Sequence, residues 1–325
     1  MHTLIRDFFA PQFGIAELND SALLDLSGRL SAGQRLAYTT DSYVVSPLFF
    51  PGGDIGELAI NGTVNDLAVS GASPLYLTSG FIIEEGFLLR DLRTILASMA
   101  GSARKAGVKI VAGDTKVVDK GKGDGIFINT SGIGIVPAGV SLGPGHIKPG
   151  DKVIVSGNIG CHGIAVMAER NGLTFDPPVV SDTAALNSLV ELMLDFAPEI
   201  RMMRDPTRGG VATTLKEMAL ESGLCITIRE DSLPVLGGVK GACELLGLDP
   251  LYVANEGILI AIASPDKADA LLEEMRGHPL GTDSAIIGAV SGGHAKTEGM
   301  LLLSTRIGGR RIMDMLPGEQ LPRIC

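Results

Sequence analysis

The strongest constraint on the fold is a helix, a glycine stop and a strand in immediate succession. Leu88, Leu89, Leu92, Ile95, Leu96, Met99 and Ala103 recur at steps of three and four, while Arg90, Asp91, Arg93 and Arg104 take the other face. Gly107 ends the helix, and Val108 to Ala112 reads as a strand that delivers Gly113-Asp114-Thr115-Lys116 at its carboxyl end. Ile126 to Val136 reads as another strand, and Lys148-Pro149-Gly150-Asp151 as a turn that resets the pattern. Beyond it α and β alternate. A strand (Lys152 to Val155) leads to a glycine-rich loop (Gly157 to Gly163) and a helix to about Arg170. A helix from Asp182 to Phe196 follows, then the loop Arg204 to Gly210 with a helix to about Glu221, and a strand from Cys225 to Ile228. The last elements expected are a helix around Val239 to Leu246, a strand from Gly257 to Ala263, a helix from Pro265 to Arg276, and strands Ala285 to Val290 and Gly299 to Ser304. Periodicity is lost from Gly308 onward. These patterns predict an α/β protein with residues 1–147 and 148–307 as two domains and 308–325 as a flexible tail.

With 325 residues, 45% apolar and 20% charged, the chain is long enough for two cores and too apolar to be disordered. A net charge of -10 argues against nucleic acid, and the absence of Trp removes one common stacking platform. No run approaches the ~18 apolar residues of a membrane span, and Arg6 and Asp7 interrupt the place of a signal-peptide core. A cytoplasmic protein is expected. Its 43 glycines are close to twice the usual ~7%, which predicts many tight turns and backbone-lined loops.

Four aspartates sit in small-residue segments: Asp41 in Thr-Thr-Asp-Ser, Asp66 in Val-Asn-Asp-Leu-Ala, Asp114 in Gly-Asp-Thr-Lys and Asp205 in Asp-Pro-Thr-Arg-Gly-Gly. Their spacing excludes a local metal loop and suits a site assembled from several strand ends, where carboxylates hold Mg²⁺ against phosphate oxygens. Each alone would serve equally as a helix cap or a turn. There is no Walker A string and no Gly-x-Gly-x-x-Gly, so Gly52-Gly53-Asp54 and Gly209-Gly210 are the candidate backbone contributors. Cys161-His162 could suggest a dyad, but neighbours on a loop rarely point together. Glu256 could be a general base or a solvated loop charge.

The four cysteines, Cys161, Cys225, Cys243 and Cys325, form no Cys-x-x-Cys pair. Cys325 closes the sequence, too late for a prenyl acceptor, which stands four residues from the end. Eighteen residues from Gly308, among them Gly309, Pro317, Gly318 and Pro322, could extend up to roughly 60 Å, a swinging arm bearing a thiol. Its own terminal carboxylate is expected to raise the thiol's pKa.

On these residues the chain resembles the HypE family of hydrogenase maturation proteins, within the PurM-like superfamily of aminoimidazole ribonucleotide synthetase. The resemblance runs along essentially the whole chain and rests on Thr40-Asp41-Ser42-Tyr43-Val44, Pro51-Gly52-Gly53, Asn65-Asp66-Leu67-Ala68-Val69-Ser70-Gly71-Ala72, Gly113 to Lys116, Asp205 to Gly210, Ala254-Asn255-Glu256-Gly257 and, most specifically, Pro322-Arg323-Ile324-Cys325. It implies an amino-terminal α/β domain that dimerises through its sheet, a second α/β domain, and ATP bound between them through Mg²⁺. It also implies a reaction. A HypF carbamoyltransferase loads a carbamoyl group onto the terminal cysteine, ATP-dependent dehydration converts the thiocarboxamide to a thiocyanate, and the cyanide passes to iron held by a HypC–HypD complex. Phosphorylation of the amide oxygen, a poor leaving group, would let it depart as phosphate while a base removes the protons.

The implied carrier is Cys325, with Lys116 neutralising transferring charge, Glu256 accepting a proton and Asp66 in the catalytic set. Nucleotide contacts would come from Asp41, Asn65, Asp114, Thr115, Thr207, Arg208 and Gly209, and metal contacts from Asp41, Asp66, Asp114 and Asp205. One departure stands at the amino terminus. The family's His-Gly-Ser-Gly-Gly segment is missing before Met1-His2-Thr3-Leu4-Ile5-Arg6, which itself looks like the first helix, and a late start codon is the expected reason. A selenophosphate-type or amidine-forming synthetase would share the aspartates without needing Cys325. A non-catalytic thiol carrier would need the tail without the aspartates.

Overall fold

The computed structural model describes residues 9–14, 24, 26, 28, 30–293, 297–316, 318 and 321–325. The amino-terminal residues 1–6 and Pro317 of the tail lie outside them. The first half is built on a four-stranded sheet of order β1-β6-β4-β5: β1 (Arg35–Tyr43), β4 (Ser73–Glu84), β5 (Lys109–Val118) and β6 (Ile126–Val136). Its pairings are antiparallel except for β4 with β5. Between β1 and β4 the chain forms a two-residue hairpin, β2 (Phe49–Phe50) and β3 (Gly53–Asp54). The first half also has two longer helices. After a helical turn α1 (Ala10–Phe13), α2 is Ile55–Val69 and α3 is Leu89–Ala106.

Helix α3 is the expected amphipathic element. It packs Leu92, Ile95, Leu96 and Met99 inward and ends at Gly107, whose φ of 72° and N–H bonds to Ala103 and Arg104 carbonyls close the last turn. Helix α2 has no such pattern because it is enclosed on nearly every side: Ile55, Leu58, Ile60 and Val64 are all at 0% exposure. Asp54 starts it, accepting Gly56 N–H at 2.7 Å, Glu57 N–H at 3.1 Å and the Ser98 hydroxyl at 2.6 Å. Asp66 therefore lies in a buried helix rather than in a small-residue loop.

Of the other three aspartates, Asp205 lies in the expected loop, whereas Asp41 and Asp114 lie on strands. Asp41 is on β1, and Asp205 follows β8 (Ile200–Arg204). Strand β5 runs on to Val118, so Gly113-Asp114-Thr115-Lys116 lies inside the strand instead of beyond its end. A bulge between Leu77 and Thr78 of β4 and their β5 partners shifts the register, so that Ile110 and Thr115, five residues apart, both face the core. Asp114 and Lys116 thereby face the opposite side.

The second half is a seven-stranded sheet of order β13-β12-β9-β11-β7-β10-β8. Its remaining strands are β7 (Lys152–Val155), β9 (Cys225–Arg229), β10 (Ile260–Ala263), β11 (Ala285–Ser291), β12 (Leu301–Ser304) and β13 (Arg310–Met313). Its helices are α4 (Cys161–Asn171), α5 (Asn187–Met193), α6 (Gly210–Ser222), α7 (Gly237–Leu246) and α8 (Ala268–Gly277). The helix expected from Asp182 is limited to α5 followed by a 3₁₀ turn Leu194–Glu199, because Asp182 and its neighbours are drawn into the site below. Strand β13 pairs with β12 inside the stretch where periodicity is lost, which shortens the free arm to about twelve residues and its reach to roughly 40 Å. The hydrophobic core is continuous between the halves, running from Ile55 and Val64 through Ile164 and Val253 to Leu321 and Ile324.

Candidate functional site

The site forms where the inner face of the first sheet, helix α2 and the second half meet. Thr39, Asp41 and Tyr43 alternate onto that face of β1, and the Thr39 hydroxyl donates to Asp66 Oδ2 at 2.8 Å. Asp205 arrives at the end of β8, ahead of the turn that opens α6. Gly209 and Gly210 take φ of 75° and 62° there, and a Cβ on Gly210 would stand 2.6 Å from the Leu251 and Val253 carbonyls. The motif Ala254 to Gly257 completes the wall. Asn255, fully buried, accepts Gly160 N–H at 2.6 Å and donates to Pro206 O at 2.9 Å, joining that wall to the Asp205 loop.

These carboxylates feel one another. Burial raises the pKa of Asp66, with Asp41 adding and Thr39 and Arg204 opposing. Burial, then Asp66 and Asp41, pushes Asp205 up to about 7. Glu256, 3% exposed, is pushed well above the usual carboxylate range by burial and by Asp205, Asp182 and Asp41, and its Oε1 has no hydrogen-bond partner. Asp182, raised to about 6 by burial, accepts the Glu256 N–H at 3.1 Å and the Gly257 N–H at 2.9 Å. A Cβ on Gly257 would collide with the Asp182 backbone, so only glycine permits this approach.

Cys325 lies in the same place. Its thiol lies beside the Glu256 side chain, close enough that each shifts the other's pKa, and feels Asp41 and Arg208. Its pKa is raised well above the ordinary thiol value, in the expected direction but from a different cause: burial first, then Glu256, with Arg208 opposing. A cavity of about 450 Å³ adjoins the tail, lined among others by Asp205, Thr207, Arg208, Gly209, Tyr252 and Ile324.

Other expected residues stand elsewhere. Asp114 and Lys116 form an exposed ion pair at 2.8 Å on the outer face of the first sheet, so Asp114 does not join the other three aspartates within one chain. Thr115 is buried under that sheet, opposite Phe81. Asn65 uses both amide hydrogens on Ala184 O (3.0 Å) and Glu256 O (3.3 Å) and accepts Leu186 N–H at 2.7 Å, so it ties the halves together. Asn65→Ala is expected to cost about 2–3 kcal/mol through the groups left unpaired, measured as a lower urea midpoint. Gly52, with φ of 95°, packs on the Ser181 backbone, where a Cβ would come within 2.8 Å. Cys161 and His162 do not act as a dyad: burial pushes the Cys161 thiol up to about 12, while both His162 ring nitrogens bond elsewhere. Among the described residues, no three His, Cys, Asp or Glu side chains stand as a ready metal cage.

A four-stranded sheet backed by α2 and α3, joined to a larger mixed sheet with carboxylates at the junction, defines a two-domain α/β protein of the AIR synthase-related, PurM-like kind. Residues 18–136 match the family model described as AIR synthase related protein, N-terminal domain, and residues 148–299 the C-terminal domain. The chain is 52% identical to the carbamoyl dehydratase HypE of Cupriavidus necator (strain ATCC 17699 / DSM 428 / KCTC 22496 / NCIMB 10442 / H16 / Stanier 337) over 327 residues, covering 99% of this chain and 91% of the relative. It superposes on a crystal structure of hydrogenase maturation protein HypE in complex with ATP, with a TM-score of 0.93, 46% identity, and coverage of 100% of this chain and 96% of that one. It is also similar to a chain in a crystal structure of a HypE–HypF complex, with a TM-score of 0.83, 48% identity, and coverage of 96% and 99%. The chain belongs to the HypE family of carbamoyl dehydratases. Among the described residues, no helix is long and apolar enough to cross a membrane.

Proposed function

We propose that this protein dehydrates a carbamoyl group carried on Cys325, consuming one ATP, and so produces a thiocyanate whose cyanide is destined for a hydrogenase's iron. The observation that carries it is the Cys325 thiol placed beside Glu256 at a carboxylate-lined junction. Bound Mg²⁺–ATP supplies the phosphoryl group that turns the carbamoyl oxygen into a phosphate leaving group. Asp41, Asp66 and Asp205 are hard oxygen donors that would hold the metal once it draws them together. The proton affinity that burial and mutual repulsion give Asp66 and Asp205 is what a cation relieves. The relative solved with ATP supports the nucleotide, and the relative solved with HypF supports a carbamoyltransferase as the source of the carbamoyl group.

Cys325 holds the substrate carbon through sulfur. Glu256, with its unpartnered oxygen, accepts a proton from the carbamoyl nitrogen, and the second N–H proton passes to solvent as the carbon–oxygen bond breaks. The balance is one carbamoyl group and one ATP to one thiocyanate, one ADP and one phosphate. Lys116 and Asp114 contribute from the outer sheet face, which a second copy covers. That face carries Leu36, Tyr38 and Ile82 at 53%, 72% and 45% exposure, an apolar strip suited to a homodimer. A HypC–HypD complex is the proposed acceptor of the cyanide. Single-turnover assays with pre-carbamoylated protein test the reading: one phosphate released per water lost supports it, and dehydration without ATP contradicts it. Asp66→Asn is expected to abolish both.

Asp205 also sets a pH dependence. Its folded pKa of about 7 lies above the unfolded value, so its contribution is fully favourable below about pH 4 and is lost as pH rises through 7. Asp205→Asn is therefore expected to gain stability over the parent as pH rises from 4 to 8 in metal-free buffer. Asp205 keeps some solvent contact, so the gain is about 2 kcal/mol, not the ~4 kcal/mol of a dry site. Parallel urea titrations at the two pH values check it, and an advantage equal at both would contradict the assignment.

A further inference from the structure

Cys325 reaches Glu256 on a short docked segment held by side chains outside the carboxylate cluster. Ile324 forms an antiparallel bridge with Val45, flanked by Val44 N–H to Cys325 O and Ser46 N–H to Arg323 O, both 3.1 Å. Two backbone bonds hold a register weakly, and a slip of one residue would turn Cys325 to the opposite side. Ile324 and Leu321 are buried in the core, which resists the slip. Two polar side chains then fix it.

His162 is fully buried in α4, with Nε2 2.7 Å from Ile324 O and Nδ1 2.8 Å from Ser181 Oγ. A carbonyl only accepts, so Nε2 carries the proton and Nδ1 accepts from the Ser181 hydroxyl. Ser181 Oγ accepts Thr183 N–H at 3.1 Å, and Ser181 N–H is anchored on Pro51 O at 2.8 Å. One tautomer satisfies every contact. About two turns further along α4, Arg170 donates to three carbonyls across both sides of the bridge: Ser46 O (2.8 Å), Pro322 O (3.0 Å) and Arg323 O (2.7 Å). Among the described residues Arg323 is the one non-glycine with positive φ, 56°, a conformation that a residue with a Cβ leaves unless it is held.

We propose that His162, backed by Ser181, and Arg170 are positioning residues that lock the tail in the register placing Cys325 Sγ at Glu256. The purpose of this latch rests on Cys325 being the carrier; its geometry does not. The test is the rate of iodoacetamide modification of the full chain, resolved by peptide, with buried Cys161, Cys225 and Cys243 as internal controls. His162→Leu and Arg170→Met are each expected to raise Cys325 alkylation about tenfold or more while the other three cysteines stay protected. His162→Gln, whose amide can donate to the same carbonyl, is expected to restore protection. Cys325 rates within about twofold of the parent in both variants, a parallel rise in all four cysteines, or failure of His162→Gln to restore protection would each overturn the latch. Failure of the dehydratase reading would instead show as a parent protein that retains its carbamoyl adduct, with the alkylation pattern unchanged.

Discussion

Glu256→Gln lowers the single-turnover rate of dehydration by about 10²–10⁴-fold while leaving carbamoylation of Cys325 intact. Gln keeps the shape and can hydrogen-bond to the Cys325 thiol, so docking survives and only proton acceptance is removed. Burial and the neighbouring Asp205, Asp182 and Asp41 make Glu256 a stronger base once ionised, at the cost of a smaller ionised fraction near neutrality. The parent's rate is therefore expected to climb with pH through the raised pKa, and the variant's to lose that climb. Stopped single turnovers across pH 6 to 9 read both effects. An unchanged pH profile in the variant would assign the proton to another group.

Cys325→Ser is expected to abolish thiocyanate formation altogether, with no measurable loss of fold stability. The hydroxyl can occupy the thiol's place beside Glu256, and the main-chain anchors at Val44, Ser46, His162 and Arg170 do not involve the side chain. Oxygen is a far weaker nucleophile than sulfur near neutral pH, so no carbamoyl group is loaded. Intact mass before and after incubation with a carbamoyl donor measures this directly. A serine variant that still yields cyanide would remove Cys325 from the chemistry.

What the sequence could show follows from where burial leaves a pattern. Helix α3 packs on one face, and its period was readable; α2 is buried all round, so it has no period, and Asp66 looked like a loop residue. Asp114 and Lys116 sit in a recognisable motif, yet which face of β5 they occupy depends on a single bulge opposite Leu77 and Thr78 that alternation alone does not reveal. Cys325 and Glu256 were nameable from their motifs, and the structure brings them together. His162 and Arg170 gave no signal as latch residues, because their partners are main-chain carbonyls more than 120 positions away, and any sequence supplies carbonyls. Asp182 was hidden for a related reason: it acts on the backbone of Glu256 and Gly257, which the motif Ala254 to Gly257 does not disclose.

The most direct measurement is the mass of the Cys325 peptide after incubating the protein with a HypF-type carbamoyltransferase, its carbamoyl donor and Mg²⁺–ATP. Carriage and dehydration on one residue require a carbamoyl adduct at Cys325 that then loses one water only when ATP is present. An adduct that persists with ATP would leave Cys325 a carrier without the chemistry, and a peptide that stays unmodified would contradict the assignment of Cys325 itself.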